Sequence, residues 1–302
     1  MAEAPHYIVV SPVKDEQAAI EHTLESMIAQ TVKPREWIVV DDGSTDSSAA
    51  IVRRYASRHS FIRLISNDRG APRQPGSAVV RAFNRGLQSV QSTDYDFIVK
   101  LDGDLTLPSD YFERIFDRFA TDDRLGIASG IYLERDRGGA WRPVSMPWYH
   151  TFGASKVVRR QCFEQIGGFV ASIGWDTVDE IKAMSLGWKT VHFPELQALH
   201  HKPEGSGIGV LRTSRMHGEI YYVSGGDPWL FVLKVIRRLW QRPRPLNALS
   251  LLVGYIGAVA RGEPKLVTTG EMRLYRGLLR QRLLPTRTPF SIATKSAQSS
   301  GH

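Results

Sequence analysis

The sequence predicts an α/β fold in which a doubly wound, mostly parallel sheet carries helices on both faces. Short apolar runs alternate with amphipathic helical patterns over residues 7–119, the order that crossover helices between parallel strands produce. Two of the predicted strands are followed by acidic residues, at 41–46 and 102–104. Because ligands of such sheets bind beyond the carboxyl ends of the strands, we expect a binding site there.

The amino-terminal elements follow in a regular order. Residues 7–10 form an apolar run that predicts the first strand, and residues 15–30 place apolar side chains on one helical face. Further apolar runs predict strands at 37–40, 61–65 and 97–101. The helices that follow these strands are indicated by apolar residues at helical spacing, namely Ile51, Val52 and Tyr55, then Val80, Phe83 and Leu87, and last Tyr111, Phe112, Ile115 and Phe119.

The chain beyond residue 125 has a less regular pattern. Residues 134–155 are rich in Gly, Arg, Trp and Pro and predict a long loop, a kind of segment that is often functional. The other elements expected here are a strand at 127–133, a helix at 178–187 and short strands at 190–193 and 196–199.

Three parts of the chain differ in composition. We expect an α/β domain at 1–205, an amphipathic helical region at 206–284 and a disordered tail at 285–302. Helical stretches in the second part are predicted at 229–240, 246–260 and 270–284.

Composition restricts the classes of function. The net charge of +8 suits an anionic ligand, nucleic acid or an anionic membrane surface. Cys162 is the only cysteine, which excludes an intramolecular disulfide and a cysteine zinc cluster. Residues 1–30 lack a signal-peptide pattern, and no window reaches the ~20 apolar residues of a spanning helix. We therefore expect a cytoplasmic protein.

Asp102 and Asp104 directly follow a predicted buried strand, with Gly103 between them. Two carboxylates at this spacing can approach one hard cation, Mg²⁺ or Mn²⁺, that also binds a diphosphate. An acidic turn is the alternative, since Asp-Gly is a common turn dipeptide. The second acidic strand end at 41–46 favours the ligand site.

A series of motifs resembles the family 2 glycosyltransferases, whose GT-A fold is Rossmann-like. The resemblance covers about residues 5–205 and depends on the order and spacing of the motifs rather than on any single one. The motifs are residues 10–16, residues 40–46, Gly76-x4-Arg81-x2-Asn84-x-Gly86, residues 101–104, Gly167-Gly168-Phe169, residues 174–177 and residues 187–190.

The resemblance implies a nucleotide-sugar donor and a bound Mg²⁺ or Mn²⁺. Asp102 and Asp104 would form the metal and diphosphate motif, and a histidine after the last strand, His201, would reach the metal. A pair of surface histidines is the alternative for His200 and His201. The expected donor-binding residues are Pro12, Glu16, Asp41, Asp42, Arg81, Lys100, Asp102 and Asp104.

An inverting transferase also needs a base that deprotonates the acceptor hydroxyl. The resemblance assigns this role to Asp176, by its spacing from Gly187 and Trp188, although Trp175 precedes it where an acid is commoner. Asp179 and Glu180 are the alternatives, and acidic residues favoured by the helix dipole are the plainer interpretation of both.

Acceptor contacts are the least determined part of the prediction. Trp148, His150, Trp175 and Asp179 are the candidates. Aromatic residues in the long loop could stack on an acceptor sugar or simply pack the loop, and the sequence leaves both interpretations open.

The resemblance implies the transfer of one sugar to a glycan or lipid-linked acceptor in cell-envelope or exopolysaccharide synthesis. The Gln-x-x-Arg-Trp motif of processive members is absent, which favours one sugar per encounter. A catalytically silent nucleotide-sugar or membrane-surface binding module is the alternative. A nucleotide-sugar pyrophosphorylase is disfavoured, because the Gly-rich Arg-Leu-x-Pro-x-Thr loop is missing after the first strand.

The carboxyl-terminal helices predict a partner of their own. Large apolar side chains interleave with basic ones over 229–256, a pattern typical of helices that lie on an anionic leaflet. The membrane interpretation implies a peripheral protein at the inner face. The alternative is a helical subdomain that packs on the core or on a second protomer, and the second case would make a homo-oligomer. The apolar neighbours of the basic residues suit a membrane better than nucleic acid, which we do not expect as a partner.

Overall fold

The computed structural model describes residues 5–66, 77–136, 138–202, 209–241 and 243–282. Strands and helices alternate through its first half, and helices alone form its last part. The strands are β1 (Tyr7–Val13), β2 (Glu36–Asp41), β3 (Ile62–Ser66), β4 (Phe97–Leu101), β5 (Leu105–Thr106), β6 (Leu125–Arg135), β7 (Trp141–Pro143), β8 (Ser155–Arg159) and β9 (Lys189–His200). The helices are α1 (Ile20–Ile28), α2 (Ser48–Ala56), α3 (Ser77–Gln88), α4 (Tyr111–Thr121), α5 (Arg160–Gln165), α6 (Trp175–Ser185), α7 (Val210–Val223), α8 (Pro228–Arg238), α9 (Leu246–Ala260) and α10 (Thr269–Gln281).

One sheet runs through the α/β part in the order β3-β2-β1-β4-β8-β6-β9-β5, with β7 paired to β6. Strands β3, β2, β1 and β4 are parallel neighbours. Strand β8 is antiparallel to both β4 and β6, and β9 runs parallel to β6. The predicted α/β fold is confirmed, with a parallel amino-terminal half and a mixed half beyond β4.

Strand β1 lies inside the sheet and is buried on both faces. Successive side chains of a strand point to opposite faces, so Tyr7 and Val9 join one core while Ile8 and Val10 join the other. Helices α1, α2 and α4 cover the first face, and α3, α5 and α6 cover the second. This double burial is why the strand appears in the sequence as a continuous apolar run.

The less regular middle differs from its prediction in several places. Strand β7 lies inside the segment at 134–155 where a long loop was predicted, and helix α5 was not predicted. Strand β8 begins where a long loop was expected to end, and the sequence conceals it because Lys156 interrupts its apolar pattern. The two short strands expected at 190–193 and 196–199 are one strand, β9. Its register against β6 shifts between Gly130 and Ile131, because extra residues of β9 bulge out of the ladder there.

The carboxyl-terminal helices pack against α6, with Val178 and Ile181 of that helix in their shared core. The stretches predicted at 229–240, 246–260 and 270–284 correspond to α8, α9 and α10, whereas α7 was not predicted. None of the described helices combines the length and hydrophobicity that a membrane crossing requires.

Several predictions fall outside the described residues. These are the tail at 285–302 and Gly76, the first residue of one motif of the family resemblance. The expected domain boundary at 205/206 also falls in an undescribed segment, residues 203–208, so the division into domains stays a prediction.

Candidate active site

A pocket of about 720 Å³ opens beyond the carboxyl ends of β1, β2 and β4. Its size is typical of small-molecule sites. Three strand ends contribute polar side chains to one wall, here called the strand-tip wall. The residues of this wall that the sequence predicted are Pro12, Glu16, Asp42, Lys100, Asp102 and Asp104.

Hydrogen bonds tie the ends of β1 and β2 to each other. Asp15 has a φ of 53°, and its Oδ1 accepts a hydrogen bond from the Thr45 amide at 2.7 Å. The amide of Glu16 donates to Ser48 Oγ at 2.8 Å. The Glu16 carboxylate is therefore held near the neighbouring strand end, where Lys202 Nζ donates to it at 2.9 Å.

Asp41 and Asp42 lie in different surroundings. Asp41 is buried, and its Oδ1 accepts a hydrogen bond from the Ser44 amide at 2.9 Å. It shapes the turn after β2 and is not part of the pocket lining, whereas Asp42 is. Of the two residues predicted to contact the base and the ribose, only Asp42 lines the pocket.

Asp104 has an unsatisfied buried oxygen. Its Oδ1 has no hydrogen-bond partner among the described residues, and its Oδ2 lies 3.5 Å from His200 Nε2. Asp102, two residues earlier, is paired with Lys100 from inside the sheet. A buried carboxylate oxygen without a partner is costly, so the site fits a cation or a donor group that arrives with the ligand.

The two histidines after β9 point to different neighbours. His200 lies between Asp104 and Glu134, with Nδ1 2.8 Å from Glu134 Oε1. Burial disfavours its charged form, but hydrogen bonds to both carboxylates outweigh burial and raise the pKa of His200 to about 10. His201, the predicted residue, instead stacks on His22 and approaches Thr106. The side-chain contact with Asp104 therefore belongs to His200, whereas the backbone amide of His201 donates to the Asp104 carbonyl at 2.9 Å.

The described residues contain no cluster of three or more His, Cys, Asp or Glu side chains suited to a metal ion. Asp102 and Asp104 fit a cation that takes its remaining ligands from a diphosphate, as Mg²⁺ commonly does. The open oxygen of Asp104 is the observation that supports this fit.

Asp176 lies in the first turn of α6 and lines the same pocket. The helix begins after Gly174, whose φ of 72° suits glycine. Gly153 lies beside the carboxylate, since a Cβ there would be in van der Waals contact with Asp176 Oδ2 at 3.6 Å. The carbonyl of Asp176 accepts a hydrogen bond from Lys156 Nζ at 3.0 Å, which holds the start of the helix.

Asp179 and Glu180 do not lie at the surface of a helical turn. Both are buried, and Lys156 Nζ lies 2.9 Å from Asp179 Oδ2 and 3.4 Å from Glu180 Oε1. Asp179 is absent from the pocket lining, so it has no position from which to touch an acceptor. Burial raises the pKa of Asp179 to about 7, and Lys156 opposes that rise.

His150 does line the pocket, next to this buried network. Its Nδ1 lies 2.7 Å from Glu180 Oε2, and Glu180 Oε1 also accepts from the Thr151 amide at 2.7 Å. Burial disfavours protonation, but the Glu180 charge outweighs it and raises the pKa of His150. The sequence offered no signal for Lys156 or for the Glu180–His150 pair, because partners on separate elements meet only in the fold.

The remaining predicted residues divide between pocket and surface. Trp175 lines the pocket and is 6% exposed. Trp148 is 44% exposed, meets Tyr149 edge-on and is not part of the lining. Arg81 lies on the exposed side of α3 and is likewise not part of the lining. The structure therefore does not bring Trp148 or Arg81 to the pocket.

The opposite side of the pocket is built by helices α7, α8 and α10, and is here called the helical wall. Sequence reasoning assigned none of its residues to the site. They are Met216, His217, Ile220, Tyr221, Lys234, Arg238 and Tyr275.

Comparison with known structures supports the fold. The chain superimposes on the mannosyltransferase PcManGT from Pyrobaculum calidifontis, solved in complex with GDP-Man and Mn²⁺, with a TM-score of 0.56. The match covers 93% of this chain and 87% of that one at 17% sequence identity. At that identity the similarity establishes a shared GT-A fold.

Two curated proteins match shorter stretches of the sequence. The cholesterol galactosyltransferase of Borreliella burgdorferi is 30% identical over 115 residues, 37% of this chain and 29% of that protein. The poly-beta-1,6-N-acetyl-D-glucosamine synthase of Staphylococcus aureus is 26% identical over 117 residues, 38% of this chain and 26% of that protein. The match thus spans less than a third of either relative.

The family model described as Glycosyl transferase family 2 matches residues 8–173, more than half of the chain. The matched range includes β1, β2 and β4, whose ends carry the strand-tip wall. On this match and the shared fold, the chain belongs to glycosyl transferase family 2.

Proposed function

We propose that the protein transfers one sugar from a nucleotide-sugar donor to an acceptor hydroxyl, with inversion at the anomeric carbon. One observation carries this proposal: the carboxylates of Asp42, Asp102 and Asp104 line the same pocket as Asp176. Donor recognition and proton removal therefore have their groups in one cavity. The donor named with the structural neighbour, GDP-Man, and the names of the relatives, a galactosyltransferase and a polysaccharide synthase, support a sugar nucleotide as substrate.

The strand-tip wall holds the donor in this proposal. Asp42 accepts hydrogen bonds from the base or the ribose hydroxyls, since an ionised carboxylate is an acceptor only. Glu16 lies beside it and is kept in place by Lys202. Asp102 and Asp104 would hold Mg²⁺ or Mn²⁺ together with the diphosphate, and the metal would neutralise charge on the leaving group.

Asp176 acts as the base. The acceptor oxygen forms a bond to C1 of the sugar while the bond from C1 to the diphosphate oxygen breaks. The acceptor proton passes to Asp176, and the nucleoside diphosphate leaves. Lys156 positions the base through the Asp176 carbonyl, and Trp175 packs beneath the pocket.

The relatives support a place in building surface glycans or glycolipids. One is named for galactosyl transfer to cholesterol and the other for synthesis of an N-acetylglucosamine polymer. We infer a glycan or lipid-linked acceptor from these names, and the absence of the processive motif favours one sugar per encounter.

A thermal-shift panel tests donor binding. Nucleoside diphosphates and their sugars are added to the full chain with and without Mn²⁺, and a true donor raises Tm because it binds the folded state. Asp104→Asn should abolish the additional shift that Mn²⁺ causes, whereas Asp117→Asn, an exposed acid on α4, should keep it. A panel in which no nucleotide raises Tm would overturn the proposed function.

A further inference from the structure

Lys234 is a half-buried cation without a carboxylate partner among the described residues. It lies on α8 and lines the helical wall of the pocket. Its Nζ lies 5.1 Å from the centre of the Tyr221 ring, and no acidic side chain pairs with it among the described residues. Burial and the positive charges of Arg238 and Arg282 lower the pKa of Lys234 to about 8.

Partly removing an ammonium from water without a charged partner is unfavourable, and the aromatic contact offsets only part of this desolvation. Arg238 lies one helical turn further along α8 and lines the same pocket. Two cations on one helix face, where no acidic side chain in the described part of the chain pairs with Lys234, form a site for an anion. In the proposed function the donor diphosphate binds at the strand-tip wall, on the other side of the pocket. The anion bound at the helical wall is therefore assigned to the acceptor.

The outward faces of α8 and α9 are apolar. The two helices pack through Phe231 and Tyr255, whose rings stack with centroids 4.1 Å apart. Helix α9 contains no charged residue. The exposed large side chains on and beside these helices are Trp229, Val232, Leu233, Ile236, Leu239, Trp240, Leu246, Leu249, Val253, Ile256 and Val259.

The charge of this segment indicates what covers the apolar face. Residues 228–262 contain six Lys or Arg residues and no Asp or Glu. Trp229 and Trp240, exposed by 81% and 63%, flank α8 at its two ends. Tryptophan is enriched at membrane interfaces, and a basic apolar helix is attracted to an anionic leaflet.

We propose that α8 and α9 rest on an anionic lipid bilayer, and that Lys234 and Arg238 bind the phosphate of a lipid acceptor drawn from it. The proposal rests on the proposed function and names its acceptor class. The phosphate is a recognition group, and a sugar or polyol hydroxyl of the same headgroup is the nucleophile that Asp176 deprotonates. One helix therefore contributes both the bilayer contact and the headgroup site.

Vesicle flotation tests the bilayer contact. The full chain should float with vesicles that contain phosphatidylglycerol and not with phosphatidylcholine alone. Leu249→Glu should abolish flotation, whereas Leu186→Glu, a control of matched exposure at 53% against 54%, should not. Failure of the wild type to float, or equal loss in both variants, would overturn the contact. A dimer in light scattering that Leu249→Glu dissociates, without flotation, would assign the face to a second copy.

Calorimetry with short-chain phosphatidylglycerol tests the phosphate site. Lys234→Met should weaken binding at least tenfold, whereas Lys265→Met should not, because Lys265 also lies over a tyrosine ring but does not line the pocket. Arg238→Gln gives an independent reading if Lys234→Met fails to fold. Equal affinity of Lys234→Met and wild type would overturn the site, and inorganic phosphate binding as tightly as the lipid would overturn the lipid source.

The two proposals fail separately. Donor-induced thermal shifts without lipid binding would remove this inference and leave glycosyl transfer intact. Lipid binding in a protein that no nucleotide stabilises would remove the transferase and leave a membrane-surface module.

Discussion

The two walls of the pocket differ in how their residues are held. Residues of the strand-tip wall lie at the ends of buried strands, and the turn that holds Asp42 is fixed locally by the hydrogen bond from the Ser44 amide to Asp41 Oδ1. The helical wall is assembled from three helices that meet across long stretches of chain. The first wall resembles those of other family members in its motifs, and the second is where this chain can differ in its acceptor.

The largest effect on the transfer rate is expected from changing Asp176, the proposed general base, which lies between the two walls. Asp176→Asn should lower the transfer rate by about 10²–10⁴-fold, the usual contribution of a general base. The donor-induced rise in Tm should stay, because donor contacts lie on the strand-tip wall. Initial rates with a radiolabelled donor measure the effect.

Asp123→Asn, at an exposed acid after α4, is the control and should keep the wild-type rate. Wild-type turnover in Asp176→Asn would contradict the assignment and direct attention to His150, which Glu180 orients.

Lys156 supports the helix that carries the base. Lys156→Met should lower the free energy of unfolding by about 3–5 kcal/mol, because Asp179 and Glu180 would stay buried without their cation. Urea unfolding followed by circular dichroism measures this.

Lys182→Met, on the same helix but partly exposed, should change the unfolding free energy by less than about 0.5 kcal/mol. Equal losses in the two variants would show that the buried network has no special role.

The helical wall depends on close contact between α7 and α9. A Cβ at Gly254 would lie 1.9 Å from the Arg215 carbonyl oxygen, so Gly254→Ala forces the helices apart. We expect a loss of about 1–3 kcal/mol, typical of overpacking. Thermal unfolding measures the loss.

Gly277→Ala is the control, because a Cβ at Gly277 meets no atom within 4 Å. It should stabilise the protein by about 0.5–1 kcal/mol, since alanine is the better helix former. Destabilisation by both changes would contradict the close-contact argument.

Asp227 links α8 to α10, and its substitution is expected to have the smallest effect on the free energy of unfolding. Its Oδ1 caps α8 through the Trp229 amide at 3.0 Å, and its Oδ2 accepts from Arg280 Nη2 at 2.7 Å. Hydrogen bonds from Arg280 hold the pKa of Asp227 below its usual value. Because Arg280 is 66% exposed and solvent screens the pair, Asp227→Asn should cost only about 1 kcal/mol at neutral pH.

The pH dependence has a definite sign. A carboxyl group with a lowered folded-state pKa stabilises the fold above its unfolded value of 3.8, and this contribution is lost as the pH falls through the folded value. The difference between wild type and Asp227→Asn should therefore disappear in acid. A difference that persists unchanged there would contradict the ion pair.

Sequence alone determined the parts of this protein whose signals are local. The apolar runs predicted β1, β2 and β4, and the acidic residues after them predicted a shared site, because parallel strands end at one edge of a sheet. The family resemblance singled out Asp176 through its spacing from Gly187, and this residue lines the same pocket.

Only the tertiary structure decided which of these residues face the pocket. The end of β9 directs the side chain of His200, rather than that of His201, to Asp104. The Asp41 carboxylate accepts a hydrogen bond within the turn after β2 and does not reach the pocket. Strand β8 contains a buried lysine, Lys156, and this charged residue interrupts the apolar pattern by which the strand could have been predicted. No local sequence pattern predicted the helical wall. Lys234 becomes a candidate binding residue only because the fold brings it to the pocket and leaves it without an acidic partner among the described residues.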